Sequence, residues 1–299
     1  MILINGCSFT EPSDNNDSWV KGFYDKGFIK HRMEIPDNGV IHKKNTIKNV
    51  AVGGSSNLVI RRKTFWYLHD RPYNIIPDYA IIQWSTVDRW DYPVFVDEER
   101  AKTFPRLDNN PQWVNKINYM NNGTSTIGYS KYFYENYYSY YGAVIETLEN
   151  IYHTQKYLEE KNIPYKMITI GNLFDMDVSI QKLYDLQTEK TGQSGNYANL
   201  KTNKSIFEKL EVYEQSWFEL DNIQILLNKI DFSKFIFTDD VNINGFGGGI
   251  IEWFLNKNEM LSGGHWHPSE EQHLRFFNEF LWPKIESDIE DYRKKIKLI

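Results

Sequence analysis

The chain has 299 residues, of which 41% are hydrophobic, 25% charged and 16% aromatic, and its formal net charge is −6. That balance excludes a disordered or collagen-like chain and speaks against a general nucleic-acid binder, which carries a basic face. Cys7, the one cysteine, excludes an internal disulfide and a Cys-rich zinc site, and a chain this long buries enough apolar surface to fold without them.

No run reaches about 18 consecutive apolar residues, so no transmembrane helix and no membrane partner are expected. The opening Met1-Ile2-Leu3-Ile4-Asn5 lacks a basic stretch followed by a long apolar one, which argues against a secretory signal. With an unpaired cysteine, this points to a cytoplasmic protein. The expected organisation is one α/β domain over residues 1–299.

In chain order, residues 2–5, 47–52, 79–84, 165–170 and 234–238 are short, continuous apolar runs. Strands covered on both faces require that pattern. Helices are expected between them. Residues 57–69 follow the second strand, residues 141–161 carry Val144, Ile145, Leu148, Ile151 and Tyr152 on one face, and residues 206–230 precede the fifth strand. A last helix starts at the capping box in Ser269-Glu270-Glu271-Gln272, with Leu274, Phe277, Leu281, Ile285 and Ile289 as its apolar stripe. The alternation predicts a flavodoxin-like doubly wound parallel sheet of about five strands with helices on both faces, whose ligands sit at the carboxyl ends of the strands. Residues 91–140 and 173–204, rich in Asn, Gly, Thr and Tyr, do not fit the core pattern and are expected to be insertions over that edge.

Four segments fall at the expected ligand edge. Asn5-Gly6-Cys7-Ser8-Phe9-Thr10 ends the first strand and places a hydroxyl on a tight turn. Gly53-Gly54-Ser55-Ser56-Asn57 follows the second strand, and Gln83-Trp84-Ser85-Thr86 ends the third. Gly264-His265-Trp266-His267-Pro268-Ser269 leads into the final helix.

In this order the segments resemble the SGNH (GDSL-like) hydrolase superfamily. Its pattern is Gly-Asp-Ser near the N-terminus, a Gly after the second strand, Gly-x-Asn-Asp after the third, and Asp-x-x-His near the C-terminus. Gly6-Cys7-Ser8 looks like the first block, Gly54 like the second and His267 like the final histidine. Cys7 stands in place of the first-block Asp, and Gln83 and Ser85 in place of the third-block Gly and Asn. The acid ahead of the histidine is missing, its place taken by Gly264 and His265.

The resemblance implies Ser8 as nucleophile and His267 as general base. The Ser8 and Gly54 N–H groups would form the oxyanion hole, with the Ser85 hydroxyl or the Gln83 amide as side-chain donor. A backbone carbonyl, His265, Asp239 or Asp240 would have to orient His267. Trp84 and Trp266 would line the pocket, and Arg89 could bind an anionic group. The implied activity is ester hydrolysis without a cofactor or metal, on a small-molecule or carbohydrate ester. Acyl transfer is an alternative, and so is a non-catalytic binding or structural protein that keeps the fold.

Other readings of the same residues remain. Cys7 could be the nucleophile, although adjacent residues at a strand end point in opposite directions. His265, His267 and His273 could form a metal site, given a further acidic ligand. Gly245-Phe246-Gly247-Gly248-Gly249 lacks the spacing of a nucleotide loop and is expected to be a flexible loop or hinge. The run Tyr132–Tyr141 could pack an insertion or stack on a sugar ring.

Overall fold

The computed structural model describes residues 1–11, 18–30, 46–69, 76–87, 89–95, 115–120, 136–174, 176–191, 215–239, 246–262 and 267–297. Five parallel strands form the main sheet: β1 (Ile2–Asn5), β2 (Ile29–Lys30), β3 (Thr46–Asn49), β4 (Tyr79–Trp84) and β7 (Tyr165–Thr169), in the spatial order β2-β3-β1-β4-β7. β1 lies at the centre, with Ile4 opposite Asn49 of β3 on one side and Ile81 of β4 on the other. β5 (Trp90–Phe95) and β6 (Asn115–Met120) form a separate antiparallel pair that, apart from Trp90, falls within the first expected insertion.

The fifth strand expected at residues 234–238 does not form. A single parallel bridge joins Phe235 to Met167, Ile236 N–H donates to the Met167 carbonyl at 2.9 Å, and a 3-10 turn at Phe232–Lys234 takes up the residues before it. Asp231 caps that turn by accepting from Ser233 N–H at 2.9 Å, which starts the chain in helical rather than extended geometry. The bridge still holds the outer position of the doubly wound order. The two-residue β2, exposed at both positions, adds the strand at the other edge.

Six further helices follow α1 (Lys21–Asp25) and α2 (Asn57–His69) among the described residues. They are α3 (Tyr140–Glu160), α4 (Met176–Thr191), α5 (Asp221–Leu227), α6 (Ile250–Asn256), α7 (Glu270–Phe276) and α8 (Trp282–Lys297). The second expected insertion therefore contains a helix, α4. Of the helix expected over 206–230, α5 and a 3-10 turn at Gln215–Glu219 form, and residues 206–214 lie outside the described residues. The capping box at Ser269 forms with both bonds: Gln272 N–H donates to Ser269 Oγ, and Ser269 N–H to Gln272 Oε1. Between α7 and α8 the helix widens to π spacing over Phe277–Leu281, just ahead of Pro283, which has no N–H to give the preceding turn.

Successive strand residues serve opposite faces of the sheet. Ile2, Ile4, Tyr79 and Ile81 pack with Trp19, Phe23, Phe277, Leu281 and Ile285 under α1, α7 and α8. Leu3, Ala80, Ile82 and Trp84 pack with Ile60, Val144, Leu148 and Ile151 under α2 and α3. Gly22 lets α1 sit on the Phe277 ring, where a Cβ would collide. No helix among the described residues is long and apolar enough to cross a membrane.

Candidate active site

β1 ends in a tight turn that the sequence dictates residue by residue. A Cβ at Gly6 would strike Thr10 Oγ1 and come within 2.9 Å of Gln83 Cβ, so only glycine lets the chain turn there. The Cys7 carbonyl accepts from Thr10 N–H and Glu11 N–H, both at 2.9 Å, closing one helical turn. Cys7 is fully buried, with Sγ 3.8 Å from Gln83 Oε1, while Ser8 is partly exposed. Of the two adjacent nucleophile candidates, the turn presents Ser8.

His267 Nε2 lies 2.8 Å from Ser8 Oγ, although 259 positions separate the two residues. The imidazole is partly exposed and packs on Phe9, with ring centroids 4.8 Å apart and planes tilted by 34°. A hydrogen bond from the hydroxyl to Nε2 places the ring proton on Nδ1, the tautomer a general base needs.

The loop after β3 is laced to the Ser8 turn. Asn49 Nδ2 donates to the Thr10 carbonyl at 2.6 Å, Val52 N–H to the Gly6 carbonyl at 3.3 Å, and Gly53 N–H to Glu11 Oε2 at 2.7 Å. A Cβ at Gly53 would lie 3.6 Å from Ser8 Cβ. Gly54 follows with φ +76°, a left-handed conformation in which a side chain would be strained. On the other side, Asn57 clasps the end of β4: its Oδ1 accepts from Ser85 N–H at 2.8 Å and its Nδ2 donates to the Ser85 carbonyl at 3.1 Å. The Ser85 hydroxyl is buried and has no hydrogen-bond partner. Gln83 is fully buried; its Oε1 accepts from Thr10 Oγ1, and its Nε2 has no partner.

Other expected site residues have different places. Trp84 does not line a pocket: it is fully buried, with Nε1 3.2 Å from Met167 Sδ, because even positions of β4 face the second core. The Asp239 carboxylate accepts from Gly248 N–H across the loop ahead of α6. Arg89 lines a cavity of about 10 Å³ with Asn57, Thr147 and Asn150, room for about one water. Its Nη1 is buried there without a partner. Asp240, His265 and Trp266 lie outside the described residues.

His273 is buried, its ring standing edge-on to Phe9 at 6.0 Å, and neither ring nitrogen has a partner. Desolvation, with a smaller contribution from His267, pushes its pKa down to about 3. No group of three or more His, Cys, Asp or Glu among the described residues is placed to hold a metal. The glycine loop is not a free hinge where it is described, since Phe246–Gly249 are buried. A Cβ at Gly249 would collide with the Thr169 carbonyl and Gly171 nitrogen, so this glycine serves close packing on the end of β7. At the end of the tyrosine run, Tyr140 and Tyr141 pack on Trp217, while residues 132–135 lie outside the described residues.

Two residues of the site escaped the sequence reading. Glu11 carried no motif signal, and Asn57, which closes the second edge segment, was assigned no role of its own.

No protein-family model matches the sequence, and no curated protein matches it significantly. Among solved structures, a candidate acylhydrolase from Bacteroides fragilis NCTC 9343 matches with a TM-score of 0.36 and 14% identity. The match covers 96% of this chain and 86% of that one. A likeness at that level carries no weight for the activity.

Proposed function

We propose that the protein is a serine-dependent ester hydrolase of the SGNH type. The observation that carries this reading is the 2.8 Å contact between Ser8 Oγ and His267 Nε2 at the carboxyl edge of a doubly wound sheet. Ser8 follows β1 and Ser85 follows β4, adjacent strands whose crossovers leave in opposite directions, and such a crevice is where these folds bind ligands.

Ser8 Oγ attacks the acyl carbonyl carbon as its proton passes to His267 Nε2. The Ser8 and Gly54 N–H groups stabilise the resulting oxyanion. The imidazolium returns its proton to the departing alcohol, leaving an acyl-serine. His267 then deprotonates a water that attacks this ester, releasing the carboxylic acid and restoring the Ser8 hydroxyl. An alcohol in place of that water gives acyl transfer by the same steps.

The test is labelling with a fluorophosphonate, read by intact mass and peptide mapping. One adduct on Ser8, lost in Ser8→Ala and reduced by about a thousandfold or more in His267→Ala, is the expected result. A folded protein that takes no adduct under conditions that label a control esterase would overturn the hydrolase reading in favour of a binding protein.

A further inference from the structure

We infer that Glu11 is a positioning residue of this site: its carboxylate fixes the Gly53-Gly54 loop against the turn that carries Ser8. The inference rests on the hydrolase reading and deepens it.

Two adjacent glycines give this loop the greatest backbone freedom a dipeptide can have, and Gly54 is already in the left-handed region. An oxyanion donor is worth most when it is held in place before the reaction begins. Asn49 and Val52 tie the base of the loop to the Ser8 turn, and among the described residues only Glu11 reaches its tip. The Glu11 main chain belongs to the same turn, through its N–H bond to the Cys7 carbonyl. A carboxylate accepting from a backbone N–H makes a bond roughly twice as strong as a neutral one.

A Cβ at residue 53 would meet the carboxylate, so any larger residue there would displace the Glu11 side chain from this position. With Gly53 N–H committed to Glu11, the acyl oxygen is assigned to the Gly54 N–H next to it. Glu11 therefore acts through the loop and does not itself touch the reacting atoms.

The variants are Glu11→Ala and Glu11→Gln, the second keeping an oxygen that can accept from Gly53. Glu11→Ala should lower both fluorophosphonate labelling of Ser8 and kcat for p-nitrophenyl acetate by about tenfold to a hundredfold, with KM changed by less than about threefold. Glu11→Gln should recover most of that loss. Amide exchange followed by 15N NMR reads the loop without chemistry, and protection at Gly53 and Gly54 should fall in Glu11→Ala while the core amides stay protected.

Equal labelling rates in the parent and Glu11→Ala would overturn the inference. Failure of the parent to label at all would overturn the hydrolase reading instead. The exchange data would then decide for Glu11, with unchanged protection at Gly53 and Gly54 counting against it. Should Glu11→Ala not fold, Glu11→Asp, whose carboxylate is one methylene short of the amide, is judged by the same measurements.

Discussion

His267 and His273 share one aromatic neighbour, Phe9, yet burial gives them opposite characters. His267 is partly exposed and meets Ser8, whereas His273 is sealed in the core with no hydrogen-bond partner. Its pKa of about 3, lowered first by desolvation and then by the charge of His267, means that the folded state holds the neutral imidazole. An unfolded histidine takes up its proton near pH ~6.5, so the unfolded state binds more protons below that pH. Stability is therefore fully present above about pH 6.5 and is lost progressively as the pH falls toward 3, by on the order of 5 kcal/mol from this residue at the lower end. Urea midpoints measured across that range should decline in the parent and decline less steeply in His273→Leu. Parallel curves for the two proteins would show that His273 does not carry the effect. Gly6 makes a second test at this scale. Gly6→Ala forces Thr10 and Gln83 apart and should slow Ser8 labelling far more than it lowers the thermal midpoint.

At the scale of elements, the ligand edge is held by polar ties between strand ends. Asn57 satisfies both backbone groups of Ser85 and also donates to Thr147 Oγ1 at 3.2 Å, joining β4 to α2 and α3. Asn57→Ala leaves Ser85 N–H and its carbonyl buried without that partner, at a cost of about 2–3 kcal/mol readable as a lowered urea midpoint. A midpoint within error of the parent would mean that water replaces the clasp. The apolar strands were legible in the sequence because continuous burial leaves continuous apolar residues, as in Ile2–Asn5 and Tyr79–Trp84. The capping box was legible because its two bonds are local. Residues 234–238 misled for the opposite reason: their apolar character is real, but Asp231 and the 3-10 turn decide the backbone, and composition does not record that. β2 is too short for a pattern to register. Ser8 and His267 were visible through their neighbouring residues, while Glu11 and Asn57 act through long-range bonds that leave no periodicity behind.

At the scale of the whole molecule, one sheet carries two cores. Ile285 of α8 lies in one and Leu148 of α3 in the other, both fully buried. Ile285→Ala and Leu148→Ala should each cost about 2–5 kcal/mol. Because Ile2 and Leu3 of the same strand face opposite cores, both variants should lower one shared unfolding transition, seen alike by circular dichroism and tryptophan fluorescence. Two separated transitions in either variant would show that the cores melt independently.

The 259 positions between Ser8 and His267 also order events in time. In chain order Ser8 comes first, followed by the Gly53-Gly54 loop that is laced to its turn. His267 follows only after β7, and α7 begins three residues further on. Loop closure across such a distance is among the last and slowest contacts to form. Until then the serine is an ordinary alcohol, inert toward the esters around it. On the proposed hydrolase reading, reactivity is acquired as a final step of folding, and attachment of a label at Ser8 marks a finished molecule.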